Sequence, residues 1–148
     1  MDKKQGGCQC GAVRYKLKGE PLTCYACHCT DCQTASGSAF TLSMITNEHD
    51  VEVTKGEMAT STVDVNGLAV QRHACPHCGV GLWFSAETYP GIVALKPGTF
   101  DDTSWFRPVA HLWTRSAQPW MKLDDAIVKY EKQPEIGELI ELWAKANH

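Results

Sequence analysis

The sequence has no long hydrophobic run. Nowhere do apolar residues approach the ~18 to 20 in succession that a bilayer-crossing helix needs. The opening residues, Met1-Asp2-Lys3-Lys4-Gln5, are polar and lead into Gly6-Gly7-Cys8 without the apolar core of a secretory leader. Basic charge is not in excess either: fourteen Lys and Arg against seventeen Asp and Glu give a formal net charge of -3, with no basic run. That balance does not suggest a non-specific nucleic-acid surface or an anionic-membrane surface, so neither partner is expected. Internal repeats, linkers and low-complexity stretches are absent. With hydrophobic residues at 43% and charged residues at 21%, the chain is too apolar for disorder. At 148 residues it has the length to bury one core, and the expectation is a single cytoplasmic domain over residues 1–148.

What the sequence does have is cysteine, eight in all. They stand at Cys8 and Cys10, at Cys24, Cys27, Cys29 and Cys32, and at Cys75 and Cys78. In a reducing compartment such clustering points to metal ligands or redox groups rather than a disulfide framework. A Cys-x-Cys pair in an extended segment is poorly placed to bond to itself. A Cys-x-x-Cys pair turned through a tight knuckle instead aims two sulfurs at one point about 2.3 Å away, as zinc requires.

The remainder of the chain reads as β-structure. Alternation over Ala12 to Lys18 marks a strand, and further strands are expected at Ala39 to Thr46, Val51 to Thr54, Ala59 to Val65, Leu68 to Ala74, Val80 to Ser85, Gly91 to Leu95 and Val109 to Thr114. Asn66-Gly67 is the strongest hairpin signal, because both residues tolerate positive φ. Short strands at such spacing argue for an antiparallel, mainly β body. After Pro134, the apolar residues Ile136, Leu139, Ile140 and Trp143 fall at helical spacing and predict a short C-terminal helix. Residues 100–108 and 115–120 read as loops.

Ligand counting divides the cysteines. Cys8 and Cys10 with Cys75 and Cys78 make four thiolates from two distant segments, a closed structural zinc site. The alternative, four free core cysteines, is weak for two pairs at these offsets. Cys27, Cys29 and Cys32 supply three thiolates. Cys24 or His28 completes a second closed site, or the fourth position stays open to water or substrate; an iron–sulfur cluster is a third reading, disfavoured by the Cys-x-Cys spacing. Cys24 reads first as a buried small hydrophobe, with fourth ligand or redox partner as its alternatives. His28 is expected to point outward from its knuckle, and His111 to be a hydrogen-bonded core histidine. Arg72, Arg107 and Arg115 are candidates for an anionic substrate, with surface solvation the commoner role. Trp83, Phe84, Trp105, Phe106, Trp113 and Trp120 are expected mostly in the core, one or two walling a pocket.

Three segments together carry a resemblance: Gly6 to Tyr15 (GCQCGAVRY after the first glycine), Cys27 to Phe40 (CHCTDCQTASGSAF) and Cys75 to Gly79 (CPHCG), continuing to His111-Leu112-Trp113, Pro119-Trp120 and Tyr130 to Pro134. The chain resembles the glutathione-dependent formaldehyde-activating enzyme family, which also includes centromere protein V. The resemblance implies a β-tent fold of small antiparallel sheets held by zinc, with a short C-terminal helix. It implies two zinc ions, a structural one on Cys8, Cys10, Cys75 and Cys78 and an open one on Cys27, Cys29 and Cys32. The activity implied is that of a carbon–sulfur lyase joining glutathione or a similar thiol with formaldehyde or another small aldehyde. The alternative is a zinc-stapled protein-binding module with structural metals only. This chain has Gln33 where a basic residue often follows the third cysteine, and Ala74 where an aromatic often precedes the last knuckle.

Overall fold

The computed structural model describes residues 3–148. Its elements, in chain order, are β1 (Gln5–Gly7), β2 (Arg14–Leu17), β3 (Thr23–Cys27), α1 (Thr30–Ser36), β4 (Thr41–Asn47), β5 (Val51–Lys55), β6 (Ala59–Val65), β7 (Leu68–Ala74), β8 (Gly81–Ala86), β9 (Ile92–Leu95), β10 (Ala110–Leu112), β11 (Val128–Lys129) and α2 (Ile136–Asn147). The fold is mainly β, as its short alternating segments anticipate. No helix among the described residues is long and apolar enough to cross a membrane. The chain divides into two compact units, one made of the described residues up to Pro21 with Met44–Trp105, the other of Leu22–Ser43 with Phe106–His148.

The first unit is antiparallel throughout its described pairings. β1, β2 and β5 form a three-stranded sheet, with Gly6 opposite Tyr15 and Tyr15 opposite Val53. The second half of β4 pairs with β9, β9 with β8, β8 with β7 and β7 with β6. The β6–β7 hairpin turns at Asn66 and Gly67, whose φ values of 54° and 85° suit the tight turn that matches strand twist. Asp64 fixes this turn by accepting the Gly67 N–H at 2.8 Å. Tyr15, Leu17, Met44, Leu82 and Leu95 are buried in this unit, each 1% exposed or less. The Tyr15 ring meets Trp83 edge-on at 5.7 Å and Phe100 at 5.5 Å. Such contacts let a thin sheet bury aromatic area that alternation alone would leave half wet.

The second unit holds β3, β10, β11 and both helices. Here the structure differs from an all-antiparallel expectation: β10 runs parallel to β3 on one side and to β11 on the other. Parallel neighbours need a long connection, and residues 28–109 separate β3 from β10. The C-terminal helix forms where the apolar spacing places it. Its Leu139 and Trp143, four residues apart on one face, are buried, and Leu139 joins Cys27, Ala110 and Leu112 in a core cluster. Thr23 ties strand to helix, its hydroxyl donating to the Leu139 carbonyl at 2.9 Å.

Candidate metal centres

The first unit brings together the turns of two hairpins. After β1 the chain turns through Cys8-Gln9-Cys10-Gly11 and returns as β2, with the Cys8 N–H donating to the Val13 carbonyl at 3.1 Å. After β7 it turns through Cys75-Pro76-His77-Cys78-Gly79 and returns as β8, with the Cys75 N–H donating to the Val80 carbonyl at 3.0 Å. Gly11 and Gly79, each following the second cysteine, both have φ of 79°. That is the left-handed region where a side chain would be strained. The turns therefore close tightly enough to aim N–H groups at sulfur: Val13 donates to Cys8 Sγ at 3.3 Å, and His77 and Cys78 donate to Cys75 Sγ at 3.3 and 3.4 Å.

The sulfurs of Cys8, Cys10, Cys75 and Cys78 all lie within 4.8 Å of one another. Cys10 Sγ is 3.7 Å from both Cys8 Sγ and Cys75 Sγ. A regular tetrahedron of sulfurs around an ion at about 2.3 Å has edges of about 3.8 Å. Four soft donors at that separation fit a tetrahedral ion such as zinc. The Val13 amide and the neighbouring thiols hold Cys8 down at about 6, towards the thiolate a metal requires.

The second unit assembles its sulfurs at a strand-to-helix turn. Cys27 ends β3, Cys29 is the N-cap of α1, and Cys32 sits in the first turn of α1. Cys29 Sγ accepts the Cys32 N–H at 3.3 Å, taking the place that serine or aspartate usually fills. The three sulfurs lie within 4.8 Å of one another. Hydrogen bonds from Cys27 and Cys32 hold Cys29 far below the usual thiol range, and the same bond raises Cys27. Cys27 is buried and the other two are half-buried, packed against the Leu112 and Leu139 cluster.

Among the described residues, no fourth Cys, His, Asp or Glu atom joins this triad. Cys24 is fully buried, and burial pushes its thiol up to about 12. His28 corrects its expectation: rather than pointing outward it is 0% exposed. Its N–H donates to the Leu112 carbonyl at 2.9 Å, and its Nε2 lies 2.9 Å from His111 Nδ1. Its Nδ1 is buried without a hydrogen-bond partner. His111 is hydrogen-bonded as expected, but it is half-buried rather than in the core. Arg107 and Arg115 are exposed and Arg72 is half-buried. Trp120 departs from the expected core, being 69% exposed.

Gln33, which stands where a basic residue often follows the third cysteine, has a role in the structure that its residue type did not announce. It follows Cys32, and its side-chain amide donates to the carbonyls of His28 at 2.9 Å and Ser116 at 3.0 Å. Its place beside Cys32 and near His28 could have drawn attention to it, but Ser116, 83 positions along the chain, could not be foreseen as a partner.

Two thiol groups of four and three members, set on the turns of a mainly β chain, define a protein able to hold two metal ions through cysteine. The chain belongs to the glutathione-dependent formaldehyde-activating enzyme family, whose model matches residues 3–116. Curated relatives include proteins of Fusarium vanettenii, 33% identical over 106 residues, and of Aspergillus terreus, 27% identical over 106 residues, both named "Putative glutathione-dependent formaldehyde-activating enzyme". Each alignment takes in 68% of this chain, and the chain spans 56% and 55% of the two relatives' lengths. A crystal structure of a Rhodobacter sphaeroides protein, 16% identical, aligns with a TM-score of 0.53 over 85% of this chain and 98% of its own, and so shares the fold.

Proposed function

We propose that this protein is a zinc-dependent carbon–sulfur lyase that joins a thiol, glutathione or one like it, to formaldehyde or another small aldehyde. The observation that carries the reading is the three-sulfur set of Cys27, Cys29 and Cys32 without a fourth protein donor among the described residues. Three protein ligands are the mark of a zinc site that works, four the mark of one that holds structure. Cys8, Cys10, Cys75 and Cys78 fill the second role in this reading.

Zinc at the three-cysteine set would supply positive charge that favours the deprotonated form of an added thiol, well below its free pKa of about 8.5. The chain's own residues do the rest. Cys27, Cys29 and Cys32 present their sulfurs to one side of the turn, and the Cys32 N–H fixes the Cys29 rotamer. Cys27 and its neighbours on the Leu112 cluster exclude water from the inner side. In the reaction the substrate sulfur adds to the carbonyl carbon, the C=O π pair moves to oxygen, and oxygen takes up the proton the thiol gave up. No group is oxidised or reduced.

The test is adduct formation from glutathione and formaldehyde, followed above the spontaneous rate for the wild type and for Cys29→Ala. Acceleration lost in the variant supports the reading. A rate equal in both proteins overturns it and leaves a family member whose metals only staple the fold.

A further inference from the structure

Trp120 has the largest exposed fraction of the bulky apolar side chains described, 69%, yet it is tied down. Gln118, Pro119, Trp120 and Met121 form a turn closed by the Met121 N–H donating to the Gln118 carbonyl at 3.0 Å. Pro119 in the second position restricts its φ. The indole Nε1 donates to Gln118 Oε1 at 2.7 Å. Gln118 Nε2 then donates to Gln33 Oε1 at 3.2 Å, and Gln33 Nε2 donates to the His28 and Ser116 carbonyls. The inner end of this chain of bonds is part of the thiol segment, because Gln33 follows Cys32 and His28 stands between Cys27 and Cys29. The polar edge of the indole is satisfied within the protein, while its apolar faces stay in water. Such an arrangement favours a partner that covers those faces.

We propose that Trp120 is a specificity-determining residue of the three-cysteine site, stacking on the hydrocarbon or aromatic body of the aldehyde. The preferred aldehyde is then one larger and more apolar than formaldehyde. Gln33 and Gln118 act through Trp120 as positioning residues. This inference rests on the thiol–aldehyde reading above.

The experiment uses the metal-loaded protein with glutathione as thiol and three aldehydes: formaldehyde, methylglyoxal and phenylglyoxal. The last two differ by methyl against phenyl. Hemithioacetal formation above the spontaneous rate gives kcat/KM for each. Trp120→Ala is expected to lower the phenylglyoxal-to-methylglyoxal ratio about tenfold, chiefly through KM. Trp120→Phe should retain most of the ratio, and Gln118→Ala, which frees the indole without removing it, should lower it by a smaller factor. A variant that merely loosens the fold moves both aldehydes together and leaves the ratio where it was. A ratio unchanged in Trp120→Ala overturns the inference, and turnover of formaldehyde in the same wild-type preparation keeps the lyase reading intact. A wild type that accelerates none of the three overturns both.

Discussion

His28 Nε2 lies 2.9 Å from His111 Nδ1, although 83 residues separate them in the chain. The bond needs one nitrogen to donate and the other to accept, so it cannot survive two imidazolium rings. Burial lowers the pKa of each ring below 6.5, with His111 further depressed by Lys129 and His28 by His111.

A folded-state pKa below the unfolded one means that the unfolded chain binds more protons in the acid range. The stability from these rings is therefore present above pH 6.5 and lost as pH falls through the folded values. His111→Gln removes one of the two titrations. Urea unfolding at pH 7, 6 and 5 should show the wild type losing stability more steeply than the variant. Equal slopes would mean that the pair does not couple protonation to folding.

The two thiol groups should separate by mutation. Cys8→Ala removes one corner of a closed sulfur tetrahedron that joins the β1–β2 and β7–β8 turns. Structural zinc contributes on the order of 10 kcal/mol to folding, so this variant is expected to lose one equivalent of metal and its cooperative unfolding transition. Cys29→Ala should lose one equivalent while keeping its circular dichroism. Metal analysis beside thermal melts reads both, and a folded Cys8→Ala with two equivalents would contradict the structural role.

Much of this was legible in the cysteine spacing, because a metal group declares itself by residue type alone. The β6–β7 hairpin was equally open, since Asn66-Gly67 permits few other turns. The α1 helix was not: its seven residues carry no buried side chain, hence no apolar period, and its N-cap is a cysteine. Strands β3 and β11 escaped, whereas β10 lies within the strand expected at Val109 to Thr114 and only its parallel pairing was missed, because two- to five-residue strands carry little alternation and their partners are chosen by the core. His28 illustrates the same limit, for its burial depends on His111 arriving beside it on β10.

Gly6 is required for space. A Cβ there would overlap the Thr99 carbonyl oxygen, the Tyr15 hydroxyl and Phe100 Cα, and two of the three are backbone atoms of the segment bridged to Gly6. Gly6→Ala should cost about 1 to 3 kcal/mol, the usual price of overpacking. Gly98→Ala, where a Cβ meets nothing within 4 Å, should stay within about 0.5 kcal/mol of wild type. Guanidinium midpoints compare the two, and equal midpoints would refute the steric argument.

Cys24 decides whether the three-cysteine set is open. Its side chain is 0% exposed, and burial holds its thiol protonated up to about 12 against an ordinary 9.0. A neutral, enclosed thiol behaves as a small hydrophobe, and its share of stability is fully present below pH 9.0 and is lost as pH rises from there through the folded value of about 12. Cys24→Ala should then lower stability by about 1 kcal/mol and leave metal affinity unchanged. Cys24→Ser, which buries a hydroxyl in place of sulfur, should cost more unless that hydroxyl finds a partner. Competition with a chromophoric chelator measures the affinity of each variant for its second ion. A tenfold or greater weakening in both would make Cys24 a fourth ligand, and the position assigned to substrate would then be filled by the protein itself.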